Sequence, residues 1–271
     1  MHWFKETCNG LGLVVEVKKK IHESKGIQKV ELFDTNYGKM LVLDGKIQVI
    51  ESFEFYYHEM LVHVPMFIHN NPEKILLIGG GDGYSLGEIL KHEPNEVLVV
   101  EIDKNVIDIS GKYFGTGKFF SDKRVTVVFQ DGAEFVKECR EKFDVIIVDG
   151  TDPSPASKTL FSKEFFENCH RLSDIFCTQS QSPVFQINYL KDILRRSKNL
   201  SNRKLYLGYV PMYPLGLWSY LVASKFGYPN LEEIKSRFTE RKIRTRYYNP
   251  EIHLASFALP EWLKREISSL I

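Results

Sequence analysis

The sequence predicts an α/β protein: a doubly wound, largely parallel sheet preceded by a small antiparallel β domain. Three observations carry that prediction. Beyond Pro72 short apolar runs alternate with helical stretches. A glycine cluster follows the first of those runs. The first 52 residues read instead as hairpins, which divides the chain into residues 1–52 and 53–271.

The hairpin region begins with Leu13-Val14-Val15-Glu16-Val17, rich in β-branched residues. Residues 28–33 follow, with Val30, Leu32 and Phe33 as apolar members. Tyr37-Gly38 and Asp44-Gly45 are turn signals that bracket runs at 40–43 and 47–50. So small a layer is marginal alone and must pack on the rest of the chain or on a second copy. Residues 53–67 place Phe53, Tyr56, Tyr57, Met60, Leu61 and Val64 near helical spacing. The runs 75–78, 97–100, 125–129, 145–148, 175–177 and 205–209 are apolar on both faces, as buried parallel strands are. Residues 217–223 supply a further strand. Alternation of such runs with helices gives a doubly wound sheet.

Composition excludes several classes. Lys plus Arg is 36 and Asp plus Glu is 35, a net charge of +1, so bulk charge does not point to nucleic acid. Apolar residues at 43% can bury a core, so the chain is not disordered. No apolar run approaches the roughly 20 residues of a membrane span, and Met1-His2-Trp3-Phe4-Lys5-Glu6 lacks signal-peptide character. Cys8, Cys139, Cys169 and Cys177 form no CxxC pair and no metal-ligand spacing. They read as free thiols in a cytoplasmic protein that holds no metal.

Residues 75–78 run into Gly79-Gly80-Gly81-Asp82-Gly83, where backbone can approach a ligand closely. The following helix, expected over 84–92, aims its N-terminus at that ligand. Tyr84 stands where a dinucleotide GxGxxG turn needs its third glycine, which disfavours NAD. Glu101, ending the second parallel strand, is placed to accept ribose hydroxyls. Asp131-Gly132, past the third, can accept from an adenine amino group or cap the next helix. With no Walker lysine, a nucleoside without pyrophosphate fits best.

Asp149-Gly150-Thr151-Asp152-Pro153 then separates two reactions. A methyltransferase must hold the carboxylate of S-adenosylmethionine near Asp82, and like charges about 4 Å apart are costly. Asp82, Asp149 and Asp152 together suit a cation: a donor that has lost its carboxylate, and a polyamine.

At this point the chain resembles the spermidine synthase (polyamine aminopropyltransferase) family over essentially its whole length. Leu43-Asp44-Gly45-Lys46-Ile47-Gln48 is similar to that family's LDGxxQ hairpin, and Glu54-Phe55-Tyr56-Tyr57-His58-Glu59-Met60 to its EFxYHEM helix. The glycine turn, Glu101-Ile102-Asp103, Asp131-Gly132-Ala133 and the Asp149 loop match in order. So do Gln179-Ser180-Gln181-Ser182-Pro183, the stretch 210–218 and the C-terminal stretch 246–260. The resemblance implies a Rossmann-like, methyltransferase-type fold and aminopropyl transfer from decarboxylated S-adenosylmethionine to a polyamine. It implies a co-substrate and no cofactor. Gln28, Gln48, His58, Gly79, Gly81, Asp82, Glu101, Asp131 and Gly132 would hold the donor. Tyr57, Asp152, Gln179 and Tyr213 would hold the acceptor. Asp149 would be the catalytic base. A homodimer or homotetramer is expected, with no nucleic-acid or membrane partner.

The chemistry explains these residue types. The sulfonium of the donor is already an activated leaving group. The acceptor amine, with a pKa near 10.4, is almost wholly protonated at neutral pH and needs a base. Phenols orient its nitrogen, and a second carboxylate pairs with its distal ammonium. Putrescine is the expected acceptor, with agmatine, cadaverine or a longer polyamine as alternatives. A small-molecule methyltransferase is the alternative reaction. The chain departs from the family's usual residues at Phe53, Tyr84, Gly87, Gln181 and Val184, and is compressed at Ser154-Pro155-Ala156. Trp218 is read as packing, and the basic stretch 235–246 as a solvated helix face. Tyr248 and His253 receive no role.

Overall fold

The alternating N-terminal sequence builds a sheet of its own. The structure, a computed structural model, describes residues 2–8, 10–152 and 157–271. The side chain of Cys8, Pro153 and the stretch 154–156 lie outside the described residues, and so do the expectations attached to them. Strands β1 (His2–Cys8), β2 (Leu11–Lys25), β3 (Lys29–Thr35), β4 (Gly38–Leu43) and β5 (Lys46–Ile50) pair antiparallel in chain order. Strand β1 has no counterpart in the sequence reading, because its residues do not alternate cleanly. It exists by pairing with β2 over its full length, from His2 opposite Val17 to Cys8 opposite Leu11.

Helix α1 (Glu54–Ile68) then crosses between this sheet and the next. It is buried on almost every side, so its apolar residues exceed a single helical stripe. One apolar cluster joins Met40 and Ile47 of the first sheet, Met60 and Val64 of α1, and Ile75 and Leu77 beyond it.

The alternating region follows as β6 (Lys74–Gly79), α2 (Tyr84–Leu90), β7 (Glu96–Glu101), α3 (Lys104–Phe114), α4 (Gly117–Phe120) and β8 (Val125–Phe129). Then come α5 (Gly132–Glu138), β9 (Phe143–Asp149), α6 (Lys163–Leu172), β10 (Ser173–Gln179) and α7 (Ile187–Arg196). Strands β11 (Lys204–Tyr209) and β12 (Leu217–Ser224) precede α8 (Leu231–Arg241), α9 (Pro250–Ser256) and α10 (Glu261–Ile267). Helix α2 stops at Leu90, short of the expected residue 92. The sheet order is β11-β12-β10-β9-β6-β7-β8. Strands β6 to β10 are mutually parallel, and successive residues face opposite sides. Ile75 and Leu77 face α1, whereas Leu76 and Ile78 pack with Val136 and Phe143 in a second cluster.

One expectation is corrected. Residues 205–209 do form a strand, and it runs in the same direction as β6–β10, but it pairs with no parallel neighbour: β12, running the opposite way, lies between it and β10. Apolar composition reports burial on both faces and carries no information on the pairing partner. The chain proceeds outward from β6 in one direction and then returns to β9 on its other side. That reversal opens a crevice at the C-terminal ends of β6 and β9, where open α/β sheets hold ligands.

The basic stretch near α8 is also more than a solvated face. Arg237 donates to the carbonyls of Phe67 and Ile68 at 2.7 and 2.9 Å. Arg241 donates to those of Met66, His69 and Asn70 at 2.8, 3.0 and 2.7 Å. These are the carbonyls that the end of α1 leaves without helical partners. Within α1, Glu59 is buried and accepts the backbone N–H groups of Arg246, Tyr247 and Tyr248 at 2.7–2.8 Å. Tyr248 and His253 bond to each other at 2.8 Å within the core, away from the crevice.

Candidate active site

The parallel register of β6 and β9 pairs Gly79 with Asp149. The Gly80 N–H donates to the Asp149 carbonyl at 3.0 Å. Gly79 has φ +80°, and a Cβ there would meet that carbonyl oxygen at 2.2 Å. Glycine is therefore required for the strand end carrying Asp149 to lie against the turn. Gly132 is forced by packing, since a Cβ would meet Ile78 at 2.3 Å.

Around this point a cleft with about 1160 Å³ of empty space, continuous with solvent, opens between the two sheets. All of the anticipated site residues border it. Gln28 and Gln48 come from the first sheet; Tyr57 and His58 come from α1. Gly79, Gly81 and Asp82 form the turn after β6, while Glu101, Asp131, Gly132, Asp149 and Asp152 cluster at or beyond the ends of β7, β8 and β9. Gln179 ends β10, and Tyr213 lies between β11 and β12.

Asp149 is held on both oxygens. The Tyr57 phenol donates to Oδ1 at 3.0 Å and the Ser85 hydroxyl to Oδ2 at 2.7 Å. Burial, reinforced by the charge of Asp82, pushes its carboxyl up to about 6. Such a group is ionised at neutral pH yet basic enough to take a proton. Burial also raises the phenols of Tyr57 and Tyr213 far above their ordinary range, so both stay neutral donors. Their rings stand 5.6 Å apart, and Trp218 packs 4.6 Å from Tyr213.

His58 sits behind Asp82. Its Nδ1 faces the Glu54 carbonyl at 2.8 Å and the Glu54 carboxylate at 3.0 Å, and its Nε2 lies 3.7 Å from Asp82 Oδ1. Burial opposes its charge, but Asp82 and Glu54 outweigh burial and hold the imidazole protonated. One ligand atom each from His58, Asp82 and Asp149 lies within 4.8 Å of the others. Two carboxylates and one imidazole thus converge on a single point of the cleft. Tyr84, at the departure from the glycine pattern, stacks on His58 at 5.4 Å. Gly87 has Phe119 within 2.8 Å of where a Cβ would be, which leaves no room for a long side chain.

Glu101 and Asp131 border another part of the same cleft. Glu101 accepts the Asp103 N–H at 2.9 Å, and burial raises its carboxyl to about 7. Asp103 in turn accepts the Gln28 N–H at 3.2 Å. Asp131 is realised as the cap of α5, accepting from Ala133 at 2.7 Å and Glu134 at 3.2 Å, while Thr159 donates to its other oxygen at 3.2 Å. Capping and facing the cleft are thus compatible at Asp131.

At the opposite end, Gln186 donates to Asp152 at 3.2 Å, and burial raises the Asp152 carboxyl above its ordinary value. Gln179 is engaged by its neighbours: its Nε2 donates to the Gly150 carbonyl at 3.3 Å and its Oε1 accepts twice from Gln181 at 3.0 Å. Tyr213 donates to the Gln48 carbonyl at 3.4 Å. Val184 is exposed. Phe53 is the first-turn residue of α1 and packs on Tyr37 at 5.0 Å.

Sequence reasoning missed Ser85, Gln186, Glu6 and Lys46. Ser85 could have been found, since the first turn of α2 must face the same cleft as Asp82. Glu6 and Lys46 carry no motif signal beyond their strands. In all, the carboxylates of Glu6, Asp82, Glu101, Asp131, Asp149 and Asp152 border the cleft, against Lys46 and His58 as cationic groups.

Comparisons with known proteins agree over the full length. A family model described as "Spermine/spermidine synthase domain" matches residues 54–233, and one described as "Spermidine synthase tetramerisation domain" matches residues 2–51. The polyamine aminopropyltransferase of Archaeoglobus fulgidus is 50% identical over 273 residues, covering 100% of both chains. That of Thermotoga maritima is 40% identical, covering 98% of this chain and 93% of its own. A crystal structure of spermidine synthase in complex with the transition state analogue AdoDATO superposes with a TM-score of 0.94 at 36% identity. It covers 99% of this chain and 95% of that one.

Proposed function

The chain belongs to the spermine/spermidine synthase family, and from that premise we propose that it makes spermidine, taking putrescine as its acceptor. It is an enzyme that transfers an aminopropyl group to a polyamine, with decarboxylated S-adenosylmethionine as co-substrate. The observation that carries the assignment of roles is the half-buried Asp149 carboxylate gripped by Tyr57 and Ser85 beside Asp82. The acceptor nitrogen attacks the carbon attached to the sulfonium. The new C–N bond forms as the C–S bond breaks, and sulfur keeps the electron pair as a neutral thioether. The proton lost by nitrogen passes to Asp149. Tyr57 and Tyr213 orient that nitrogen for in-line attack, and Gln179 borders the acceptor. Asp152 pairs with the distal ammonium. The donor's own amine faces Asp82 and the ribose hydroxyls face Glu101. Asp131 faces the adenine amino group. Gly79, Gly81 and Gly132 let the backbone come close, and Gln28, Gln48 and His58 complete the donor's surroundings.

Asp82→Asn tests the donor arrangement. Loss of a charged partner weakens the decarboxylated donor by about 10- to 100-fold, while methylthioadenosine, which lacks the aminopropyl group, is weakened less. Equal weakening of both in calorimetric titrations would remove the amine contact.

Glu101 gives a pH signature. Its carboxyl sits at about 7 in the free protein because of burial. Ribose hydroxyls donate to the ionised form and so pull that value down on binding. Methylthioadenosine affinity therefore rises with pH up to about 7 and then levels. Below that pH, binding releases protons, detectable as a buffer-dependent heat in calorimetry. Glu101→Gln abolishes the release; a variant that still releases the same protons would assign them elsewhere.

The first sheet also supports assembly into a dimer or tetramer. Trp3, Leu11 and Val14 are exposed on β1 and β2, and β1 is a sheet edge.

A further inference from the structure

We propose that Lys46 fixes which acceptors the cleft admits, accepting a diamine's single distal ammonium and opposing any cation placed beyond it. This deepens the aminopropyl-transfer reading and rests on it. Lys46 opens β5 immediately after the Asp44-Gly45 turn, where both residues have positive φ, and it borders the cleft. Its Nζ lies 3.6 Å from Glu6 Oε1 and donates to the Thr7 carbonyl at 3.4 Å. Glu6 is 7% exposed, and the Ile47 N–H holds its other oxygen at 2.7 Å. Glu6 is therefore aimed by the same strand that carries Lys46.

Glu6 and Asp152 are close enough to act on each other. Burial raises both carboxyls, Asp152 raises Glu6 further, and Lys46 pulls both back down. Gln181, beside them, is an amide rather than an acid. Its Oε1 is buried with no hydrogen-bond partner among the described residues. With both carboxylates ionised, one resident ammonium and a neutral amide leave a single negative charge at this end. That is the complement of one distal ammonium. A triamine would carry its further cation toward Lys46, whose side chain is 34% exposed against 7% for Glu6.

The test measures kcat/KM for putrescine and for spermidine, from methylthioadenosine release with the decarboxylated donor. The variants are Lys46→Met and Lys46→Glu. The expected result is a spermidine-to-putrescine ratio raised about tenfold in Lys46→Met, as removal of one like charge at close range predicts. Lys46→Glu raises it further, and Lys46→Arg keeps the original ratio. A purely structural clamp on Glu6 and Thr7 would lower both activities together, so an unchanged ratio in Lys46→Met and Lys46→Glu overturns the assignment to Lys46. Failure of the unaltered protein to turn over either amine would instead overturn the aminopropyl-transfer reading.

Discussion

Asp149→Ala is expected to lower kcat by about 10²- to 10⁴-fold, the usual contribution of a positioned general base. The acceptor amine reaches the cleft mostly protonated, and Asp149 is the ionisable group that Tyr57 and Ser85 both hold in place. The same substitution has a second consequence. Asp149 works as a base only when ionised, and burial together with Asp82 sets its carboxyl at about 6. In the unaltered enzyme kcat/KM for the amine, taken at saturating donor so that Glu101 does not contribute, therefore falls as pH drops through about 6. Asp149→Ala loses that limb while retaining the one that belongs to deprotonation of the free amine. Methylthioadenosine binding persists and reports that the cleft is intact. Steady-state kinetics across pH decide the matter: turnover within tenfold of the original would remove Asp149 as the base.

Gly79→Ala is expected to destabilise the protein by about 3 kcal/mol or more and to abolish donor binding. Two costs combine. The residue has φ +80°, which costs an alanine about 1 kcal/mol. The new Cβ would also press on the Asp149 carbonyl at 2.2 Å, inside a parallel strand pair that cannot separate without loss of register. Gly45→Ala is the matched control. It has the same φ of +80°, yet a Cβ there meets nothing within 4 Å. Denaturant midpoints should show the conformational cost alone at Gly45 and the larger loss at Gly79. Equal losses would mean that the close approach to Asp149 contributes nothing.

Much of this architecture is legible in the chain. The runs at 75–78, 97–100 and 145–148 are apolar at every position because both faces of their strands are covered, and that composition is local information. The acids at the strand ends are legible for a related reason: a parallel sheet puts all such ends on one edge. What stays hidden depends on partners distant in sequence. Strand β1 forms only because β2 is there to pair with it, and Glu6 becomes a cleft residue only through that pairing. That β11 pairs with the reversed strand β12 rather than with a parallel neighbour is likewise not written in its own residues. The placement of Arg237 and Arg241 at the end of α1 spans about 170 residues and leaves no periodic trace.

The grip of Glu59 on the backbone at Arg246, Tyr247 and Tyr248 has a consequence in time. The helix carrying Tyr57 and His58 leaves the ribosome well before its anchors, which are synthesised 169 to 189 residues later. A nascent chain can thus carry Tyr57, His58 and Asp149 and still lack the contacts that hold α1 in place. The setting of α1 is completed only when the segment carrying Arg237, Arg241 and residues 246–248 docks against it.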